Sequence, residues 1–267
     1  MSHVARLVEL YDEGGLTEVR RGIHDFVRFD VLGRLPVIPG YATVRTRRSE
    51  ATFRVTTRSE QQRYRTLMRE ESVLVDLERH LHPKHVLWDV GANTGLYTCL
   101  MAPHVRRVVA FEPVERNYVR LVQNVEYNQL TNVDTNWIGL GREKTEHRFV
   151  VDETGHGGSY VQDGGGEEIP LVNAAGQISR VGLPAPDILK VDVEGAELAV
   201  LEGLGDYIGG VDLIYLEVHH DRLEAFDDTV DELEDYLWSS GFRWDVINRR
   251  GVNNAHWRCT RVEGVSA

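Results

Sequence analysis

Val86-Leu-Trp-Asp-Val-Gly-Ala-Asn-Thr-Gly95 is the stretch whose reading settles the fold. An apolar strand over 86–90 runs straight into a turn bounded by two glycines, and a helix is predicted over 95–102. Strand, tight glycine turn and helix start make a nucleotide-type site. Glycines let a ligand approach the backbone, and the helix N-terminus offers unsatisfied N–H groups. Glu112 ends the next strand about twenty residues later, where a carboxylate can accept two hydrogen bonds from a ribose diol.

Two ligand classes use this geometry. A dinucleotide site needs G-x-G-x-x-G, because the pyrophosphate lies against backbone at the second glycine. Asn93 holds that position and would crowd it, and Asp89 would add a carboxylate near two phosphates. S-adenosylmethionine has no phosphate and carries an ammonium and a sulfonium, so a carboxylate beside the turn favours it. A turn that binds nothing is the plain alternative, since Gly-x-x-x-Gly alone is weak. Asp89, Gly91, Ala92, Asn93, Gly95 and Glu112 in their expected places are a stronger signal.

Working outward, strands over 86–90, 107–112, 134–138, 188–191 and 213–218 alternate with helices over 95–102, 114–128, 197–204 and 227–240. Such alternation predicts an α/β fold: a Rossmann-like, mostly parallel sheet covered on both faces. The end differs. Residues 242–247 and 256–262 read as strands joined by 248–254 with no helix between them, which predicts an antiparallel hairpin at the sheet edge. A sheet ending this way is the usual class I methyltransferase plan and is uncommon among dehydrogenases.

Residues 1–80 read as a small α+β extension to a main domain over 81–267. Val4, Leu7, Val8 and Tyr11 mark one amphipathic helix, and Val19, Ile23, Phe26 and Val27 a second. A break over 35–40 precedes two strands, over 41–46 and 52–57, and a helix over 59–81. The arginines here (Arg20, Arg21, Arg28, Arg34, Arg45, Arg47, Arg48) read first as a solvated face, with an anionic-surface patch as the alternative.

The chain has 267 residues, 42% of them hydrophobic, which suits an ordinary core. Its formal charge is -12, and of 30 basic residues only Lys84, Lys144 and Lys190 are lysine. Acid excess with few lysines suits a surface kept hydrated at high salt; a high-GC genome would explain the scarce lysine but not the acid. A net-negative protein is a poor ligand for phosphate backbones, which argues against nucleic acid. Cys99 and Cys259 lack metal-ligand spacing and read as two buried, reduced thiols. No run approaches the roughly eighteen apolar residues of a membrane span. Charges at Arg6, Glu9, Asp12 and Glu13 leave no signal-peptide core, so a cytoplasmic protein is expected.

The sequence resembles the FkbM family of methyltransferases. The likeness rests on Trp88-Asp-Val-Gly-Ala-Asn-Thr-Gly-Leu-Tyr-Thr98, Phe111-Glu-Pro113 with Asn117 and Leu121-Val-Gln-Asn124, Ile188-Leu-Lys-Val-Asp-Val-Glu-Gly-Ala-Glu197, and Leu216-Glu-Val-His219. Together these span about residues 85–220, half of the chain. The resemblance implies a class I fold and O-methylation, typically of sugars or natural products. It also implies that Asp89, Gly91, Asn93 and Gly95 serve the methionine end of S-adenosylmethionine, Glu112 the ribose, and the loop at Ile138 and Gly139 the adenine.

Strand C-termini face the ligand crevice in an open parallel sheet, so Asp192, Glu194, Glu217 and His219 should converge beside the transferable methyl group. By intrinsic pKa His219 is the first candidate for a base that activates a sugar hydroxyl, with Asp192 next; a carboxylate acceptor would need none. A structural, hydrogen-bonded His219 is the competing reading. The four groups could also hold a divalent cation, although no ligand spacing demands a metal and none is expected. Lys190 is expected to pair with one of the carboxylates or to touch substrate. His156 and Tyr160, in a glycine-rich stretch before the fourth sheet strand, are candidate substrate contacts on a lid or on a plain loop.

The expected acceptor is thus a sugar, a lipid-linked glycan or a small molecule bearing a hydroxyl or carboxylate. A lipid-linked acceptor would give Arg20, Arg21 and Arg28 a role as weak peripheral membrane contacts. The alternatives are a non-catalytic cofactor-binding protein of the same fold and, third, a nicotinamide-dependent oxidoreductase.

Overall fold

The computed structural model describes residues 40–56, 64, 70–143, 145–151, 159–161, 167–250 and 253–262. The two helices expected before residue 30, Arg20, Arg21 and Arg28, His156 and the glycines 164–166 lie outside them.

β1 (Gly40–Arg45) and β2 (Glu50–Val55) form an antiparallel hairpin, within two residues of the expected strands. Its outer edge is closed by side chains from the main domain. Asn128 receives the N–H of Thr52 and donates to its carbonyl, and Asn124 receives the N–H of Arg54. Unpaired edge groups are thereby satisfied without another strand. Of the helix expected over 59–81, α1 (Glu71–His80) is described; it buries Val73, Leu74 and Leu77.

The turn-bearing unit follows as expected: β3 (Val86–Val90), α2 (Leu96–Met101), β4 (Arg107–Phe111), α3 (Glu115–Tyr127) and β5 (Val133–Asn136). The stretch that sequence alone leaves as loop between the third and fourth sheet strands is instead a second, four-stranded sheet. Its members are β6 (Gly139–Gly141), β7 (Thr145–Val151), β8 (Ser159–Val161) and β9 (Glu167–Asn173), in the order β6-β9-β7-β8. Pro170 disguises β9, and it lies just before the residues that pair with β6.

β10 (Ile188–Val191), α4 (Glu197–Glu202), β11 (Leu213–His219) and α5 (Val230–Ser239) complete the alternating pattern. Then come β12 (Phe242–Arg250) and β13 (Asn254–Arg261), whose pairing runs through most of the expected linker after a register shift between Val246 and Asn248. The main sheet has the order β12-β13-β11-β10-β3-β4-β5. The five strands from β11 to β5 are parallel, and β13 is antiparallel to both neighbours.

Strands covered on both faces read as continuous apolar runs, and all seven residues of β11 are buried. One sheet face packs Leu87, Ile188, Leu213 and Tyr215 against α1, α2 and Phe53 of the hairpin. The described residues between 40 and 81 therefore share a core with the main sheet. The other face packs Trp88, Leu189, Ile214 and Leu216 against Leu198 and Leu201 of α4 and Leu233 and Leu237 of α5. Burying one such large side chain contributes about 1.5–3 kcal/mol. Cys99 and Cys259 are buried free thiols, as expected.

Candidate active site

The glycine turn closes on itself. Gly91 has φ +77°, and a Cβ there would stand 1.9 Å from the carbonyl oxygen of Asp192, so the backbones of the β3 and β10 tips touch. The N–H groups of Gly91 and Ala92 both donate to the carbonyl of Phe111, at 3.0 and 2.9 Å. That of Asn93 donates to Glu112 Oε2 at 2.8 Å, that of Thr94 to Asn93 Oδ1, and that of Gly95 to the carbonyl of Ala92. The sequence predicts free N–H groups at this turn. From Gly91 to Gly95 they are all engaged within the protein, which removes the anion cradle that a pyrophosphate needs.

Asp89 is held inside the protein. It is fully buried, accepts the hydroxyl of Thr98 at 2.6 Å, and lies 3.4 Å from Lys190 Nζ. Lys190 sits beside Asp89 in the register of β3 and β10, donates to the carbonyl of Gly91 at 3.2 Å, and lies over the ring of Tyr97. Burial alone would lower its pKa, but Asp89, Asp192, Glu70 and Glu217 outweigh burial and hold the ammonium above the ordinary lysine range. Lys190 is thus tied to carboxylates, and with Asp89 it props the turn from behind.

In front of the turn lies a cleft of about 680 Å³. Gly91, Asn93, Glu112, Ile138 and Gly139, all expected at the cofactor, line it; Asp89, Ala92 and Gly95 are not among its lining residues. Pro113, Leu140 and Leu171 add apolar wall, and Asp192 and Glu194 stand at the charged end. Glu112 Oε1 accepts the Val114 N–H at 3.0 Å and the Asn117 amide at 3.3 Å. Its Oε2 takes the Asn93 N–H, so protein donors hold both oxygens at the cleft wall.

The structure brings Asp192, Glu194, Glu217 and His219 together. His219 Nδ1 lies 2.7 Å from Glu197 Oε1, and its Nε2 lies 3.1 Å from Glu194, 3.9 Å from Glu217 and 4.0 Å from Asp192. Burial opposes charge on this ring, but the Glu197 hydrogen bond and the charges of Glu194, Glu197 and Asp192 prevail and push its pKa up to about 10. A ring that keeps its proton is not the neutral base that intrinsic pKa suggests. Glu194 shifts too: burial raises its carboxyl to about 7, against the pull of His219 and Arg222. Arg222 pairs with it directly. Glu194 has φ +56° and Gly195 φ +113°, so the tip after β10 is held in left-handed backbone.

Ligand atoms of Asp192, Glu194 and His219 lie within 4.8 Å of one another, a spacing that a divalent ion could bridge. In the arrangement seen, His219 Nε2 stands 3.1 Å from Glu194. Tyr160 lies in β8 opposite Val150, away from the main sheet's strand tips in sequence and in sheet membership.

Sequence reading missed Glu197 and His256. Glu197 stands three residues past Glu194 on the first turn of α4, where both its neighbours in the motif could have flagged it. His256 is placed opposite Glu217 by the antiparallel register of β13, and no local pattern announces it.

Among known proteins, residues 89–244 match the family model described as the Methyltransferase FkbM domain. The chain is similar to the hexuronic acid methyltransferase AglP of Haloferax volcanii, 30% identical over 170 residues, covering 63% of this chain and 70% of that protein. It is also similar to the AMB antimetabolite synthetase AmbE of Pseudomonas aeruginosa, 29% identical over 62% of this chain but only 10% of that one. A solved structure, methyltransferase FkbM from Methylobacillus flagellatus, aligns with a TM-score of 0.47 at 16% identity, over 89% of this chain and 59% of that one. Among the described residues no helix is long and apolar enough to cross a membrane.

Proposed function

Because the chain belongs to the FkbM family of methyltransferases, we propose that it transfers the methyl group of S-adenosylmethionine to a hydroxyl of a sugar. The residues of the cleft fit that cofactor. Glu112 lines the cleft where a ribose would lie, Pro113, Ile138, Leu140 and Leu171 offer apolar walls to a flat base, and Asp192 and Glu194 answer a cation. When bound, the cofactor supplies an electrophilic methyl group on a sulfonium, which an oxygen displaces in line.

One observation carries the choice of a hydroxyl. Glu194 lines the cleft beside His219, and burial pushes its carboxyl up to about 7, where a general base is most effective. It would take the proton from the acceptor oxygen. His219 stays charged, fixed through Nδ1 by Glu197, and holds Glu194, Asp192 and Glu217 around the reacting oxygen. Asp192 and Glu217 orient the acceptor and balance the charge.

The likeness to a hexuronic acid methyltransferase favours a second reading, esterification of a sugar carboxylate, which needs no base. Incubation with methyl-labelled cofactor and a panel of neutral and acidic sugars separates the two. An ether keeps its label in mild alkali, whereas an ester releases it as methanol. Cofactor binding with no transfer to any sugar, lipid-linked glycan or small molecule of the panel would overturn both and leave a binding protein.

A further inference from the structure

A second, smaller cavity lies beside Asp192. Among the described residues Val73, Tyr97, Lys190, Asp192, Glu217 and His256 line it. Asp192 also lines the cofactor cleft, so one side chain borders both spaces. The space takes about one water-sized group, which suits a single hydroxyl and not a whole ring or a nucleotide.

The polar groups here specify a ligand chemistry. His256 is about 5% exposed, its Nε2 lies 3.2 Å from Glu217 Oε2, and its Nδ1 has no partner among the described protein groups. A carboxylate only accepts, so the neighbouring Glu217 favours the tautomer with the ring proton on Nε2. In the neutral ring Nδ1 is then a buried lone pair, and a buried polar atom without a partner is uncommon in a folded protein. Lys190 Nζ, on the same cavity wall, can only donate. A group that donates to the first and accepts from the second is an alcohol. A carboxylate would set its own lone pairs against that of Nδ1.

We propose that this cavity is the acceptor subsite, where a sugar hydroxyl adjacent to the methylated one donates to His256 Nδ1 and accepts from Lys190. The assignment rests on the methyltransferase reading above for the identity of the acceptor. It makes His256 a specificity residue, with Glu217 fixing its tautomer, and it places the neighbouring hydroxyl next to Asp192 and Glu194.

Side-chain nitrogen NMR of the full chain, saturated with S-adenosylhomocysteine, tests this directly. Methyl glycosides of glucose, galactose, mannose and glucuronic acid are titrated in turn, and the His256 Nδ1 resonance should move with at least one. His256→Phe should weaken that sugar about tenfold, as expected for one lost hydrogen bond. Val73→Phe, which fills the cavity from α1 and leaves the Glu217 pair intact, should do the same if the first variant folds poorly. An unmoved His256 resonance with every sugar, or unchanged affinity in both variants, overturns the subsite. Calorimetry with S-adenosylhomocysteine alone reports separately on the methyltransferase reading, since absent cofactor binding would sink that and not the cavity's geometry.

Discussion

The two ends of the cleft are built from different materials. At the tips of β3 and β4 the work is done by backbone: five successive N–H groups close on carbonyls and on Asn93 and Glu112, and one carboxylate faces outward. At the tips of β10 and β11 it is done by side chains, with Asp192, Glu194 and Glu217 gathered round a histidine that keeps its charge. A backbone wall cannot titrate and cannot shift without unfolding the turn. A cluster of coupled acids and bases responds to every proton. Changes at the first end should therefore act on cofactor binding and stability, and changes at the second on rate and pH dependence.

The severest break of that contrast comes at Gly91. An alanine there meets the Asp192 carbonyl at 1.9 Å and must hold φ +77°, a backbone region that costs a non-glycine residue about 1–3 kcal/mol before the clash is counted. Gly91→Ala should lose cofactor binding by calorimetry and lower stability by about 3 kcal/mol or more in urea; retention of both would mean the two tips are free to part. Next comes Glu194→Gln, which should lower kcat/KM about 10²–10⁴-fold with cofactor affinity nearly unchanged. In the wild type kcat/KM should climb as pH rises through about 7, where Glu194 loses its proton, and the variant should lack that limb. A variant that keeps the limb would move the base elsewhere.

His219 sharpens the contrast through stability. Its folded pKa stands above its ordinary 6.5, so the stabilisation from its carboxylate partners is complete below about 6.5 and drains away as pH rises toward about 10. The Tm should fall by several degrees across that window in the wild type and much less in His219→Gln. A flat profile in the wild type would show that the ring is neutral.

The same division explains what could be read in the sequence. The cofactor end is local: turn, helix and Glu112 belong to one strand–helix–strand unit, so periodicity and glycine spacing reveal it. Asp192, Glu194, Glu217 and His219 were legible as a group because they end two neighbouring parallel strands. Their protonation was not, since a pKa depends on burial and on Glu197, which reaches His219 from a helix. Asp89 sits in the right motif yet faces inward, because strand register sets Lys190 beside it. His256 comes from a strand inserted next to β11 by the closing hairpin, and pairings across that distance leave no periodic trace. The β6–β9 sheet was hidden by a proline and by glycine-rich joins.

Two milder substitutions close the series. Glu112 accepts from Asn93 and Val114 on separate oxygens, whereas a glutamine has one carbonyl and must turn its NH₂ toward one of those N–H groups. Glu112→Gln should weaken S-adenosylhomocysteine about 10–100-fold in calorimetry, the worth of a charge-assisted hydrogen bond, and leave the pH limb near 7 in place. Loss of that limb would couple the two ends and defeat the division. The smallest effect belongs to Arg45, paired with Glu50 on the hairpin with side chains 69% and 54% exposed. Solvent screens such a pair and side-chain entropy offsets it, so Arg45→Ala should change stability by no more than about 0.5 kcal/mol. The buried Glu197–His219 pair has the same kind of partners at a similar separation, and what separates the two is water. A large loss at Arg45 would show that burial is not what gives the strand-tip cluster its strength.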